Sequence, residues 1–302
     1  MNGSAIRHAC LCILLLSLSK PAAAILYVGG NCQFATIQAA INAAGPSEGI
    51  LISSGTYPEF LEIKDKNIVL EGGYTGCGIA PGNTIVDASS HSGHSVLNIQ
   101  GSSSDLLYQI ELTGGSAPGQ GGGIAFLGNG ELNLGNVTIT ENTAVYGAGI
   151  GVHPNGPTKV FISANTIISN NTASGDGGGI NVDGQTTLYM LEPNTTIIFN
   201  HAPNGRGGGV NITGPAKAYL GSPGWFGFDA ISFNDAKDGG GIGLGVNESA
   251  TATAVLFSID PSHPFRISNN RASEFGGGIY GSAWTPSDLA ILTYPGSSAI
   301  YA

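Results

Sequence analysis

The sequence contains few charged residues, and positively charged ones are the scarcest. Lys and Arg together number 10 against 20 Asp and Glu in 302 residues, which gives a formal net charge of −10 at pH 7. A nucleic-acid partner is therefore excluded, because such binding depends on cations that meet phosphates. The low share of charge, at 10%, and the hydrophobic share of 41% also exclude a disordered acidic protein and a coiled coil.

Long apolar runs are missing as well. No stretch approaches the roughly 20 apolar residues that span a bilayer, so we expect no membrane span. The N-terminus has the order of a cleaved signal peptide: Arg7 and His8 precede an apolar run over Ala9–Leu18, and three alanines at 22–24 form the cleavage site. Residues 1–24 are therefore predicted to direct export, to the extracellular space or the outer cell surface, and residues 25–302 form the exported domain.

Cysteine is also rare. Of the 4 cysteines, Cys10 and Cys12 lie in the predicted signal peptide. Cys32 and Cys77 remain as an even pair in an oxidising compartment, which predicts a disulfide. The alternative is two free buried thiols.

Glycine, by contrast, is abundant, with 49 residues, but it lacks the three-residue period of collagen. Most of the excess lies in six corners of two or three glycines, each followed by an aliphatic residue. These aliphatic residues are Ile124, Ile150, Ile180, Val210, Ile242 and Ile279. Their successive spacings of 26, 30, 30, 32 and 37 residues indicate a repeat of roughly 30 residues.

A second recurring motif, Asn-x-Ala, precedes each of the last five glycine corners. Its asparagines are Asn142, Asn171, Asn200, Asn234 and Asn270. Asparagine tolerates a left-handed bend, and its amide can hydrogen-bond along a stack of identical residues. The spacing therefore predicts a structural ladder, in which asparagine and glycine bend the chain and do not react.

Apolar residues two positions apart follow the corners, and each repeat has a third apolar run. Three short strands per repeat predict an all-β protein, a right-handed single-stranded parallel β-helix. A β-propeller would need four strands in roughly 40 to 50 residues per blade, and a left-handed β-helix would show hexapeptide repeats. At the ends, residues 34–44 are predicted to form a capping helix, while residues 298–302 are strand-like and uncapped. We therefore expect a truncated chain that lacks a further C-terminal domain.

Two segments resemble known β-helix proteins. Residues 34–41 (FATIQAAI) with 50–59 (ILISSGTYPE) resemble the opening of pectin-lyase-like proteins. Marks such as Ile231-Ser232-Phe233-Asn234 followed by Gly239-Gly240-Gly241-Ile242 resemble the FxxN and GGGI repeats of polymorphic outer membrane proteins. The first resemblance implies the fold, which carries lyases, hydrolases, esterases and adhesins alike. The second implies a surface-exposed adhesive passenger.

Catalytic residues are not indicated by the sequence. The positions before the corners form a mixed column and not an acidic one: Gln120, Tyr146, Asp176, Arg206, Asp238 and Phe275. A surface ion ladder is the favoured interpretation of Arg206 between two aspartates. His91 and His94 are interpreted as an exposed turn in preference to a metal site. Asp235 and Asp238 are interpreted as residues that solvate a bend in preference to a weak calcium site, so no cofactor is expected.

One loop indicates a binding role. Trp225, Phe226 and Phe228 lie in a lengthened repeat, where aromatic side chains can stack on sugar rings, with core packing as the alternative. The sequence thus predicts a secreted or surface-exposed adhesion module whose partner is a glycan or protein surface of a host cell or of the environment. A polysaccharide-acting enzyme, similar to pectate lyases or glycoside hydrolases, is the alternative, and a non-catalytic remnant of a longer protein is the third.

Overall fold

A computed structural model of the chain describes residues 25–77, 82–163, 165–192, 194–221, 230–245, 252–258, 265–281 and 288–293. The predicted signal peptide, the extreme C-terminus and the aromatic residues Trp225, Phe226 and Phe228 lie outside these ranges.

The chain winds as a parallel β-helix, which confirms the predicted fold class. Each coil passes through up to four sheets, numbered here in the order in which the chain meets them, and every strand pairs in parallel with its equivalent in the next coil. Sheet 1 contains Ile25–Val28, Glu48–Ser53, Ile68–Tyr74, Ser102–Tyr108, Asn129–Gly135, Thr158–Ile162, Thr186–Met190, Lys217–Leu220, Thr253–Ser258 and Asp288–Thr293. Sheet 2 contains Gly55–Tyr57, Thr84–Asp87, Ile110–Thr113, Thr138–Thr140, Ile167–Ser169, Thr196–Ile198, Ile231–Ser232 and Ile267–Ser268.

The two remaining sheets complete the coil. Sheet 3 contains Thr143–Ala144, Thr172–Ala173, His201–Arg206, Asp235–Asp238 and Arg271–Phe275. Sheet 4 contains Leu61–Lys64, Leu97–Gln100, Ile124–Phe126, Ile150–Val152, Ile180–Val182, Val210–Ile212, Ile242–Leu244 and Ile279–Gly281. The expectation of three strands per repeat was therefore incomplete. The Asn-x-Ala segments, which we interpreted as bends, run extended long enough to pair and form sheet 3.

The interior is filled by columns of aliphatic side chains. The residue after each of the first five glycine corners is fully buried, and these residues lie in register on sheet 4: Ile124, Ile150, Ile180, Val210 and Ile242. Sheet 1 supplies the facing wall with residues such as Leu132, Leu134 and Val160. Burying apolar surface stabilises the fold by about 25 cal/mol per Å², and each coil is stable only because its neighbours cover it.

The N-terminal helix covers the open end of this core, but it is shorter than predicted. It spans Ile37–Ala43, and Ile37 and Ile41 are buried against the first coil. Phe34, which we expected in the helix, instead forms a parallel bridge with Val28. The helix begins later because Thr36 is its N-cap, with the Thr36 side-chain oxygen accepting from the amide of Ala39 at 3.2 Å.

Both ends of the helix are held by charged side chains from the coil below. The Glu59 carboxylate accepts hydrogen bonds from the amides of Ile37 and Gln38, at 2.8 and 3.0 Å. The Lys66 ammonium donates to carbonyl oxygens at the other end, including those of Ile41 and Ala44. A carboxylate at the N-terminus and a cation at the C-terminus both complement the helix dipole.

Cys32 and Cys77 form the predicted disulfide, with their Cα atoms 5.1 Å apart. It joins the segment after the first strand of sheet 1 to the segment after the third strand. Closing a loop with a sequence separation of 45 stabilises the fold by about 4 kcal/mol on the chain-entropy model.

Candidate functional site

The asparagines of the five Asn-x-Ala motifs form a continuous internal ladder. In each step the Nδ2 of one asparagine donates to the Oδ1 of the next, over distances of 2.9 to 3.0 Å from Asn142 to Asn270. The same Oδ1 accepts the preceding asparagine's backbone amide at 3.0 to 3.1 Å. Asn142, Asn171, Asn200 and Asn234 are fully buried. The ladder therefore holds the bend and offers no group to a ligand.

The glycine corners are equally structural. The first glycine of each corner has a left-handed backbone, with φ between 59° and 72°. In the first five corners, a Cβ on the third residue, which is always glycine, would collide with the backbone of the next coil; at Gly179 it would lie 2.6 Å from the carbonyl oxygen of Gly209. The corners thus let successive coils approach, and they are not phosphate-binding loops.

Among the described residues, most of the ionic contacts lie on sheet 3 or directly beside it. We call this surface the charged strip. Its pairs are Arg206 with Asp176 (3.1 Å), Lys237 with Glu274 (3.5 Å) and His201 with Asp235. Arg206 pairs in register with Asp238, whose carboxylate accepts from the amide of Phe275 at 3.2 Å. Charges of opposite sign alternate along the strip and neutralise one another, which differs from the clustered carboxylates that acid–base hydrolysis of polysaccharides requires.

Residues considered for metal binding have other contacts. His94 lies parallel to the ring of Phe60 at 4.0 Å, and His91 meets the same ring edge-on at 5.4 Å. Asp235 contacts His201. Among the residues that the structure describes, no group of three or more His, Cys, Asp or Glu side chains could hold a metal ion.

Three aromatic residues stack on the outer face of sheet 1. The rings of Phe161 and Tyr189 are 4.8 Å apart and those of Tyr189 and Tyr219 are 5.3 Å apart, with interplanar angles of 7° and 8°. Because the ring faces cover one another, the stack presents ring edges to solvent. A sugar stacks on a ring face, so this column stabilises the sheet and is a poor platform for carbohydrate.

A second aromatic pair lies at the corner between sheets 2 and 3, and we call it the aromatic corner. Phe199 and Phe233 stack at 5.1 Å, yet they are 45% and 48% exposed. Both residues have φ of 55°, a left-handed backbone that costs a residue with a side chain roughly 1–2 kcal/mol. Sequence reasoning missed this pair; the signal was a phenylalanine directly before the ladder asparagine.

Other coils show what ordinarily occupies this position. The residues that precede the remaining ladder asparagines are Glu141, Asn170 and Asn269, again with φ between 54° and 57°. Asparagine is the residue that best tolerates this conformation, apart from glycine. Phe199 and Phe233, which lie in neighbouring coils, therefore depart from the preference for asparagine at this position. They expose apolar surface and gain only the stacking of their two rings.

A buried carboxylate lies on the inner side of sheet 1. Asp105 is 1% exposed; its Oδ1 accepts from the amide of Ile68 at 2.9 Å and its Oδ2 accepts from the hydroxyl of Ser103. Burial raises the pKa of Asp105 to about 6 from 3.8, although both hydrogen bonds oppose this shift. Sequence reasoning gave no signal for this group.

Stability is consequently expected to fall as the pH rises from 3.8 to about 6, because the unfolded chain ionises Asp105 in this window while the folded chain retains the proton. A difference of about 2 pKa units corresponds to at most about 3 kcal/mol. Urea unfolding of Asp105→Asn, measured beside the wild type below and above this window, should show that the variant lacks this loss. Parallel pH profiles of the two proteins would contradict the expectation.

Among the described residues, no helix is both long and apolar enough to cross a bilayer. The predicted sugar-stacking residues Trp225, Phe226 and Phe228 lie outside the described ranges.

Comparison with other proteins finds similarity of fold. No protein-family model matches the chain, and no curated protein matches its sequence. Two solved structures are similar, both of a pectin methylesterase from Aspergillus niger, one in deglycosylated and one in penultimately deglycosylated form. Each has 14% sequence identity and a TM-score of 0.39, and the alignment covers 92% of this chain and 90% of the other. The parallel β-helix architecture follows from the strand pairing of the chain itself.

Proposed function

We propose that the protein is an exported binding module with an adhesive role, and that the aromatic corner is its contact surface. The observation that carries the proposal is the exposed pair Phe199 and Phe233, held in a backbone conformation that aromatic residues avoid. Strained and exposed aromatic residues persist when they serve a function that offsets their cost. The partner is a macromolecular surface, a glycan or protein of another cell or of the environment.

The surroundings of the corner support this role. Two residues beyond each phenylalanine lie His201 and Asp235, which contact each other on the outer face of sheet 3. The strip continues with Arg271, in register with Asp235. An aromatic anchor with a polar and charged rim is the usual composition of a protein recognition surface.

Export belongs to the same proposal. The disulfide supports an oxidising compartment, either the extracellular space or the outer surface of the cell. The Asn-x-Ala and glycine marks support kinship with the repeats of polymorphic outer membrane proteins, with residues 25–302 as a passenger domain. The alternative, a polysaccharide-acting enzyme, requires a cluster of unpaired carboxylates or cations on one sheet, whereas the charged strip is mixed and paired.

The proposal is tested by replacing both phenylalanines with asparagine, the residue found at the same place in neighbouring coils. F199N/F233N relieves the left-handed strain while removing the exposed rings, so the thermal midpoint is expected to stay within a few degrees of the wild type. Binding of protein-coated beads to cells and to immobilised glycans should fall at least about tenfold, because truncating hot-spot aromatics costs roughly 2 kcal/mol or more.

Tyr108→Asn is the matched control. Tyr108 is 43% exposed on sheet 1, away from the aromatic corner, and its replacement should leave binding unchanged. Wild-type adhesion in F199N/F233N would remove the basis of the proposed role.

A further inference from the structure

A small cleft lies on the outer face of sheet 4, far along the chain from the aromatic corner. Its floor is formed by Glu62, Asn98 and Ala125, which lie in register on three adjacent strands. Its walls are the loops at 93–95 and 117–120, which arise in successive coils. The cleft is half open to solvent and its volume is about 210 Å³, below the roughly 300–1,000 Å³ of clefts that accept drug-sized ligands. The cleft therefore has room for a single ring.

Three polar groups in the cleft are not used by the protein itself. Within the described ranges, no hydrogen bond or ion pair holds the Glu62 carboxylate or the Ser95 hydroxyl, and the buried Oδ1 of Asn98 lacks a partner. Glu62 is exposed to solvent, so the cost of about 1–3 kcal/mol for an unsatisfied buried group applies to the Asn98 oxygen alone. Polar groups that stay unsatisfied in a folded protein are typical of sites completed by a bound molecule or an ordered water.

Asparagines further along the same column show the difference. Asn211 donates to Asn181 at 2.7 Å, and Asn181 in turn donates to the Oε1 of Gln120 at 3.4 Å. The Nδ2 groups of these two asparagines are used in this way, although the buried Oδ1 of Asn211, like that of Asn98, has no partner among the described residues. Asn98 lies instead between Glu62 and Ala125, so the column provides it with no partner.

Hydrogen bonds hold the walls and the floor of the cleft in place. Ser116 donates its amide to the carbonyl of His94 at 2.8 Å, which ties one wall to the other. The Gly119 carbonyl accepts two amides from the next coil at 3.0 Å. On the floor, Gln38 hydrogen-bonds both the amide and the carbonyl of Glu62, at 2.7 and 3.1 Å. A preorganised site loses little entropy on binding.

We propose that this cleft binds one neutral pyranose unit of a saccharide. A carboxylate and amides recognise sugar hydroxyls, and Ala125, Leu127 and Pro118 supply an apolar surface for the C–H face of the ring. No Lys or Arg lines the cleft and its one charge is Glu62, so the acidic sugars of pectin are disfavoured by charge repulsion. This site is separate from the aromatic corner and does not depend on its role.

Titration calorimetry and saturation-transfer NMR on the exported protein, residues 25–302, would test the cleft. The probes are the methyl glycosides of glucose, galactose and mannose, with galacturonic acid as the charged comparison. A neutral sugar is expected to bind with a Kd near 1 mM, as is usual for a contact of about 4 kcal/mol, and galacturonic acid at least about tenfold more weakly. Absence of binding by all neutral sugars, or a preference for galacturonic acid, would overturn the proposal.

Two variants assign the binding to the cleft. Glu62→Gln and Asn98→Ala should each weaken neutral-sugar binding about tenfold, the equivalent of 1.4 kcal/mol, while their thermal midpoints stay near wild type because neither side chain has a partner to lose. The matched controls are Glu71→Gln and Asn129→Ala, two exposed positions on sheet 1, which should bind as the wild type does. Equal losses in cleft variants and controls would also refute the site. Since F199N/F233N leaves the cleft intact, it should retain sugar binding even if the adhesive role fails.

Discussion

Replacing Gly179 with alanine is expected to destabilise the protein by about 3 kcal/mol or more, which is the upper part of the range for overpacking a filled interior. A Cβ at this position would lie 2.6 Å from the carbonyl oxygen of Gly209 and 2.9 Å from Cγ2 of Ile197. Both atoms belong to the next coil; the carbonyl is part of the backbone and Ile197 is fully buried, so neither can move away easily. Chemical denaturation at one fixed pH measures the loss.

Gly49→Ala is the control for this prediction. Gly49 lies in a strand of sheet 1, and a Cβ there would meet no atom within 4 Å. The same chemical change should therefore be neutral or stabilise by about 0.5–1 kcal/mol, because alanine loses less backbone entropy on folding. Similar unfolding free energies for the two variants would show that the corners do not set the distance between coils.

Replacing Asn200 with alanine should cost about 4 kcal/mol, near the limit for a single substitution. Asn200 Nδ2 donates to the Ile168 carbonyl at 2.9 Å and to Asn234 Oδ1 at 3.0 Å. Its Oδ1 accepts both the backbone amide and the Nδ2 of Asn171, at 3.1 and 2.9 Å. The loss is large because buried partners on both sides are left unsatisfied, at roughly 1–3 kcal/mol each.

The comparison for the ladder is Asn129→Ala, an exposed asparagine on sheet 1 for which a change within about 0.5 kcal/mol is expected. Hydrogen exchange should show in addition that Asn200→Ala exposes amides on both neighbouring coils, since each ladder step holds one coil to the next. A loss no larger than that of Asn129→Ala would mean that the ladder contributes no net stability.

The period of about 30 residues was sufficient to predict the coil. It correctly indicated parallel strands and the inward position of the aliphatic residue after each of the first five corners, because residues one coil apart must lie beside each other. The Cys32–Cys77 disulfide followed from cysteine count and export alone. The start of the helix was wrong by three residues, since the bridge between Phe34 and Val28 competes with helix formation.

Tertiary structure decided the remaining features, because a repeat pattern specifies neighbours along a column but not across loops or between faces. His91 and His94, three residues apart, had the spacing of metal ligands, yet both pack on the ring of Phe60.

The sequence by itself thus determined the architecture, since the repeat dictates which backbones meet. Only the folded coil brought Glu62, Asn98 and the loop at 117–120 around one cleft. Likewise, only the structure showed that the two rings of the aromatic corner are exposed and that their residues have a left-handed backbone. The physical reason is that strand pairing is local to each column, whereas the burial and partners of a surface side chain depend on loops from other coils.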